Sequence, residues 1–195
     1  MGDWRDVGEG QVYTHFQFSK WEPDPTGEVL YGMDFGWNDP MTFLKVTKKG
    51  KSIWVEEVLY SSGMTIEDAA EFLKTSNINP LATIYCDAAM PAYIETLRRF
   101  GFRNAQKANK GPGSKKAGID RIKSYQVFVN PNSINLINEY NTYNYRKGSD
   151  EPMDGNDHLL DALLYATSHD KVQGVSRYAV MGRARTIVDD FDGNF

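Results

Sequence analysis

The stretch EVLYGMDFGWNDPMTFLKVTKKGKSIWVEEVLY, residues 28–60, contains three β-prone runs separated by short polar links. The runs are EVLYGMDFG (28–36), MTFLKVT (41–47) and SIWVEEVLY (52–60). The link KKGK between the last two is typical of a hairpin turn, and the first link is equally short. We therefore predict three consecutive antiparallel strands.

Helices and strands alternate after this opening. Thr65 begins a helix, with Asp68 in the position of a capping-box partner. The apolar run LATIYCD (81–87) predicts a strand buried on both faces, and Pro91 opens a second helix that ends near Gly101. Further elements are predicted as a strand at 102–108, a flexible basic loop at 110–118, a helix from 119, a strand at 127–129, a helix at 133–141, a polar loop with a hairpin at 143–155 and a last helix capped by Asn156. This order predicts an α/β fold with a mixed sheet and helices on both faces.

The size of the chain predicts one domain. It has 195 residues, of which 41% are hydrophobic, a usage typical of globular proteins. We predict a lead-in at 1–27, the domain at 28–172 and a C-terminal tail at 173–195. The single cysteine, Cys86, excludes an internal disulfide, and neither a signal peptide nor an apolar run long enough to span a membrane is found in the sequence. We expect a soluble, cytoplasmic protein.

The charge is unevenly distributed. The formal net charge is -4, yet residues 98–123 carry nine cations and one anion, a local net charge of +8. Such a segment can bind a phosphate backbone without reading sequence, although a solvated loop is the ordinary alternative. The candidate DNA-binding residues are Lys110, Lys115, Lys116 and Arg121.

Acidic residues close two apolar strands. Asp34 ends the first predicted strand and Asp87 ends the strand at 81–87. Strand ends of open α/β sheets are common ligand sites, and buried carboxylates need a cation or another partner. A strand-end aspartate that caps the next turn is the structural alternative for each residue taken alone.

The last helix adds further candidates. Asp157, His158 and Asp161 in GNDHLLDALLYA can share one helix face. Asp157 suits the first helical turn for reasons of the helix dipole, whereas Asp161 lies beside leucines and lacks that explanation. Three carboxylates from two strands and a helix suit Mg²⁺ or Mn²⁺, and two such ions can promote phosphodiester hydrolysis. No phosphate-binding loop of the G-x-x-x-x-G-K-[ST] type is present.

Four segments in this order resemble the C-terminal nuclease domain of the large terminase subunit of tailed bacteriophages. They are GMDFGWNDP, IYCDAAMP, KGPGSKKAGIDRIKSY and NDHLLDALLYA. The resemblance implies a ribonuclease H-like fold and a metal-dependent endonuclease that cuts concatemeric double-stranded DNA when packaging starts and ends. It implies Asp34, Asp87 and Asp161 as ligands of two Mg²⁺ or Mn²⁺ ions and His158 as a fourth catalytic residue, with Asp157 and Asp39 as weaker candidates.

The resemblance also implies partners and a location. These are double-stranded DNA, an upstream ATPase domain, the small terminase subunit and the portal, in the host cytoplasm and with no membrane. Three alternatives remain open. They are another ribonuclease H-like enzyme of the resolvase or transposase type, a non-catalytic docking module, and an actin- or sugar-kinase-like ATP-binding domain.

Overall fold

One mixed sheet of seven strands forms the centre of the protein. The computed structural model describes residues 10–20, 22–111 and 113–170. The strands are β1 (Gln17–Phe18), β2 (Glu28–Asp34), β3 (Met41–Lys49), β4 (Ser52–Ser61), β5 (Thr83–Cys86), β6 (Ala105–Lys107) and β7 (Gln126–Val129). The helices are α1 (Ile66–Thr75), α2 (Pro91–Arg99), α3 (Ser114–Lys123), α4 (Ile134–Thr142) and α5 (His158–Ala166). The strand order is β1-β7-β4-β3-β2-β5-β6.

The strand pairing matches the sequence prediction. β2, β3 and β4 pair antiparallel, and every other neighbouring pair is parallel. β2 and β5 are direct neighbours, with Met33 aligned with Cys86. Asp34, the last residue of β2, and Asp87, the residue after β5, therefore lie at the same edge of the sheet.

Helices cover both faces of the sheet. On one face, α1 and α2 pack on residues such as Phe43 and Ile84. On the other face, α3, α4 and α5 pack on Leu44, Val46 and Val55. A β-bulge in β4 explains why Leu59 joins the first face, because Leu44 pairs with Glu57 and Phe43 with Leu59, which leaves one extra residue in β4.

The predicted lead-in contributes to the core. Val12, Tyr13 and Phe16 are buried in the cluster that also contains α4 and α5. β1 pairs with β7 in parallel. The domain boundaries stay a prediction, and the tail predicted at 173–195 lies outside the described residues.

The structure corrects the prediction for residues 110–118. Half of the predicted loop is helix, because α3 begins at Ser114 after Gly113, whose φ of 73° only glycine adopts readily. Gly118 obscured the helix, since glycine has low helix propensity. A Cβ there would lie 3.0 Å from Leu164 Cδ2 in α5, a tight contact that glycine avoids.

The start of the last helix moves by one residue. The N-cap is Asp157 rather than Asn156, and α5 begins at His158. Among the described residues, no helix is long and apolar enough to cross a membrane.

Candidate metal and nuclease site

Gly32 determines how closely α5 approaches the sheet. Every second residue of β2 faces the same side of the sheet, and one such set is Leu30, Gly32 and Asp34. A Cβ at Gly32 would lie 1.8 Å from the carbonyl oxygen of Ala162 in α5, so only glycine permits this contact. Asp34, two residues further along the strand, therefore faces the first turn of the same helix.

Asp34 and His158 are in direct contact. Asp34 Oδ2 lies 3.2 Å from His158 Nδ1, and only 8% of the Asp34 residue surface is exposed. Thr42, which pairs with Asp34 across β2 and β3, donates a hydrogen bond from Oγ1 to the His158 carbonyl at 3.1 Å. The hydrogen bond to Asp34 raises the pKa of His158 against the opposing effect of burial. The negative charges of Asp34, Glu139 and Asp39 raise it further.

A lysine from α3 joins two acids of α5. Lys115 Nζ lies 2.7 Å from Asp157 Oδ2 and 3.3 Å from Asp161 Oδ1. Burial raises the pKa of Asp161 to about 6; Lys115 opposes this shift, and the charges of Asp157 and Asp34 add to it. Negative charge is thus concentrated in a largely desolvated place, and the cation of Lys115 neutralises part of it.

Asp87 lies beside this group at the end of β5. Its Oδ1 accepts hydrogen bonds from Lys110 Nζ at 2.6 Å and from Ala89 N at 3.1 Å. The strand-end capping role considered for Asp87 is therefore present alongside a cationic partner. Tyr165 of α5 interacts electrostatically with all three acids that were predicted to bind the metal. Burial raises its pKa, and the charges of Asp34, Asp161 and Asp87 raise it further.

The remaining predicted site residues are Asp39, Lys116 and Arg121. Asp39 is exposed in the loop after β2. Lys116 pairs with Asp150 at 3.0 Å, and both side chains are largely exposed. Arg121 is half-buried, and within the described residues its Nε has no hydrogen-bond partner. The structure therefore brings together Asp34, Asp157, His158 and Asp161, with Asp87 next to them.

Sequence reasoning missed four contributors to the site: Gly32, Thr42, Glu139 and Tyr165. Gly32 carried a usable signal, because a glycine inside an apolar strand often marks close approach of another segment. Thr42, Glu139 and Tyr165 carried none, since their roles depend on which helix packs on which strand.

The donor set suits a hard divalent cation. Within the described residues, no three His, Cys, Asp or Glu side chains stand in an arrangement that could hold a metal ion as placed. Asp87 is turned to Lys110, and Asp157 and Asp161 are turned to Lys115. The carboxylate oxygens nevertheless emerge from one edge of the fold, as an oxygen-liganded Mg²⁺ or Mn²⁺ site requires.

The chain also matches a known protein family. Residues 34–169, more than half of the chain, match the family described as the terminase RNAseH like domain. The chain belongs to this terminase nuclease family. The matched segment begins at Asp34 and includes Asp87, His158 and Asp161. The ribonuclease H-like fold expected from the resemblance is thereby confirmed.

Solved structures of terminases share the fold. The large terminase (g2p) nuclease domain of bacteriophage SPP1, solved with bound Mn, has a TM-score of 0.70 and 21% identity, covering 80% of this chain and 97% of that one. The P22 large terminase nuclease domain has a TM-score of 0.66 and 18% identity, and the match covers 83% of this chain and 92% of that one. The large terminase of the thermophilic bacteriophage D6E, in complex with ADP, has a TM-score of 0.65 and 22% identity, and the match covers 85% of this chain and 46% of that one. The chain thus spans about half of the D6E protein, and no curated protein matches it by sequence.

Proposed function

We propose that this terminase domain is a metal-dependent endodeoxyribonuclease that cuts double-stranded DNA during viral genome packaging. The observation that carries the proposal is the meeting of Asp34, His158 and Asp161 at one edge of the sheet, with Asp87 on the neighbouring strand. The SPP1 nuclease domain, which has the same fold, was solved with bound Mn.

Asp34, Asp87 and Asp161 would hold two Mg²⁺ or Mn²⁺ ions. Asp34 ends β2, Asp87 follows the neighbouring strand β5, and Asp161 lies in the first turn of α5, which packs on β2. To bind the cation, Asp87 would have to release Lys110, and Asp161 would have to release Lys115. When bound, such ions make a water molecule nucleophilic near neutral pH and stabilise the leaving oxygen of a phosphodiester.

His158 is suited to moving a proton. Without bound metal, the hydrogen bond to Asp34 raises its pKa and so favours the imidazolium form, which can donate a proton but cannot ligate a metal. Asp34 holds the ring through Nδ1, which fixes its orientation. We therefore assign His158 to the proton of the leaving group, and the alternative role as a ligand requires its deprotonation.

The lysines of α3 and of the loop before it lie beside the acids. Lys110 and Lys115, once exchanged from Asp87 and Asp161, could contact phosphate oxygens of bound DNA. Lys116 is already exposed at the N-terminal turn of α3. An upstream ATPase domain, the small terminase subunit and the portal would be the partners of the full-length protein in the host cytoplasm.

Cleavage of supercoiled plasmid tests the proposal. The protein is incubated with plasmid in Mn²⁺, in Mg²⁺ and in EDTA, beside Asp34→Asn and the control Glu71→Gln on the exposed side of α1. We expect nicking and linearisation by the parent and the control, lost in EDTA and in Asp34→Asn. Cleavage by Asp34→Asn at the parental rate would refute the assignment, and a preference for four-way junctions over linear duplex would favour the resolvase alternative.

A further inference from the structure

The N-terminus of α5 is capped by another helix. Its N-cap residue, Asp157, makes no side-chain capping hydrogen bond. The N–H groups of Leu159 and Leu160 are in the first turn and lack partners inside the helix, and both residues are at most 1% exposed. Buried N–H groups without partners are costly, so an acceptor from elsewhere is required.

Glu139 of α4 supplies that acceptor. Its Oε2 accepts from Leu159 N at 2.9 Å and from Leu160 N at 3.0 Å, and its Oε1 lies 3.2 Å from Leu159 N. Glu139 is itself only 3% exposed. The two residues it holds lie between His158 and Asp161 in the chain, so its carboxylate grips the turn that carries both.

The N-terminus of α4 is also capped by a carboxylate from another element. The N-cap of α4, Ser133, also makes no capping hydrogen bond through its side chain. Glu57 of β4 accepts from Asn135 N at 3.0 Å and Leu136 N at 3.2 Å through Oε2, and from Asn135 Nδ2 at 2.6 Å through Oε1. Ser133 Oγ in turn accepts from Glu57 N at 2.9 Å.

Two carboxylates in series thus connect the sheet to the acids of α5. β4 fixes the start of α4 through Glu57, and α4 fixes the start of α5 through Glu139. We infer that Glu139 is a positioning residue for the nuclease site, which sets the place of His158 and Asp161 relative to Asp34. This inference rests on the proposed function and adds a residue that touches neither metal nor DNA.

The test compares Glu139→Leu, Glu139→Gln and Leu73→Ala. Glutamine keeps one acceptor for the α5 amides, whereas leucine keeps none. Leu73 is fully buried in α1 on the opposite face, so Leu73→Ala is a control that destabilises the fold without touching α5. Each variant is studied below its unfolding temperature by calorimetric titration with Mn²⁺ and by plasmid cleavage.

We expect Glu139→Leu to weaken Mn²⁺ binding at least tenfold and to lower kcat with little change in the KM for DNA. Glu139→Gln should recover part of both losses, and Leu73→Ala should match the parent. Parental Mn²⁺ affinity in a folded Glu139→Leu would overturn the inference. If Glu139→Leu does not fold, Glu139→Met, which also lacks an oxygen acceptor, takes its place, and parental affinity in the folded methionine variant would overturn the inference.

A second readout separates this inference from the proposed function. The imidazole resonances of His158 are recorded by NMR over a pH titration in EDTA, and their limiting positions for the neutral ring are compared, because the charge of Glu139 itself raises the pKa of His158. We expect them to shift in the Glu139 variants and to stay in place in Leu73→Ala. If the parent neither binds Mn²⁺ nor cuts DNA, the proposed function fails, and the His158 resonances still decide the inference: unchanged positions in the Glu139 variants would refute it.

Discussion

At the scale of single residues, the site depends on Gly32, which has no side chain, and on the lysines Lys110 and Lys115. Gly32 lets the backbone of α5 lie directly on β2, which brings His158 to Asp34. Lys110 and Lys115 offset the charge of Asp87, Asp157 and Asp161. Sequence reasoning selected the acids as candidate ligands, because they follow apolar strands or lie beside leucines. It assigned the lysines to DNA alone, because their contacts with the acids depend on the path of the chain between β6 and α3.

Gly32→Ala should destabilise the domain. The new methyl group would meet the Ala162 carbonyl oxygen, a backbone atom that moves only if α5 moves. We expect the free energy of unfolding in urea to fall by about 2 kcal/mol or more, as for an overpacked core. Gly155→Ala is the control, since a Cβ there meets nothing within 4 Å. Equal stability of Gly32→Ala and the parent would contradict the close packing of α5 on β2.

Lys115 and its neighbour Lys116 should behave differently. Lys115→Ala leaves two mostly buried carboxylates without their cation, so we expect a loss of about 1–3 kcal/mol in the free energy of unfolding measured in EDTA. Lys116→Ala removes only an exposed ion pair and should cost less than about 0.5 kcal/mol. Equal losses in the two variants would show that Lys115 does not neutralise the acids in solution.

At the scale of elements, periodicity and capping predicted most of the fold. The three antiparallel strands, the buried strand β5 and the capped start of α1 all appear as expected, and Thr65 Oγ1 accepts from Asp68 N at 3.1 Å. The start of α3 was missed, because a helix that contains glycine is recognisable only through its packing against α5. The capping of α5 by α4 could not be predicted either, since it joins residues about 20 positions apart through tertiary contact.

Thr65→Ala should lower the free energy of unfolding by about 1 kcal/mol, because the first turn of α1 loses its cap. Thr96→Ala is the matched control, because among the described residues the Thr96 hydroxyl donates only to the Ala92 carbonyl inside α2. We expect a change within about 0.5 kcal/mol for this control. A loss in Thr96→Ala as large as that in Thr65→Ala would argue against the capping role.

At the scale of the whole molecule, buried acids make stability depend on pH. Burial raises the pKa of Asp161 to about 6 and that of Glu139 to about 7, and the Asp34 hydrogen bond raises the pKa of His158. The folded state therefore binds more protons than the unfolded state between about pH 4.5 and 7. The free energy of unfolding in EDTA should increase as the pH falls from 8 to 5.5.

Urea unfolding at several pH values measures this dependence. Asp161→Asn should show a smaller increase on acidification than the parent, because one of the titrating groups is gone. Glu71→Gln, exposed on α1, should keep the parental slope. A stability that rises with pH over this range would contradict the burial of these acids.

The charge distribution of the whole molecule makes DNA binding sensitive to salt. Residues 98–123 carry nine of the 22 Lys and Arg residues of this acidic chain. Lys116→Ala should weaken binding of duplex DNA and reduce the slope of log affinity against log salt concentration by about 1, if this lysine contacts one phosphate. Fluorescence anisotropy in Ca²⁺ measures both quantities, and Lys74→Ala on α1 is the control. An unchanged slope would remove Lys116 from the interface.

The central claim is that acids from β2, β5 and α5 hold divalent metal ions together. Anomalous diffraction from crystals grown with Mn²⁺ tests it most directly, because it locates the metal without relying on activity. We expect Mn²⁺ within about 2.0–2.6 Å of carboxylate oxygens of Asp34, Asp87 and Asp161, with Lys110 and Lys115 moved away from them. An anomalous map with no Mn²⁺ at these residues at a saturating concentration would contradict the claim.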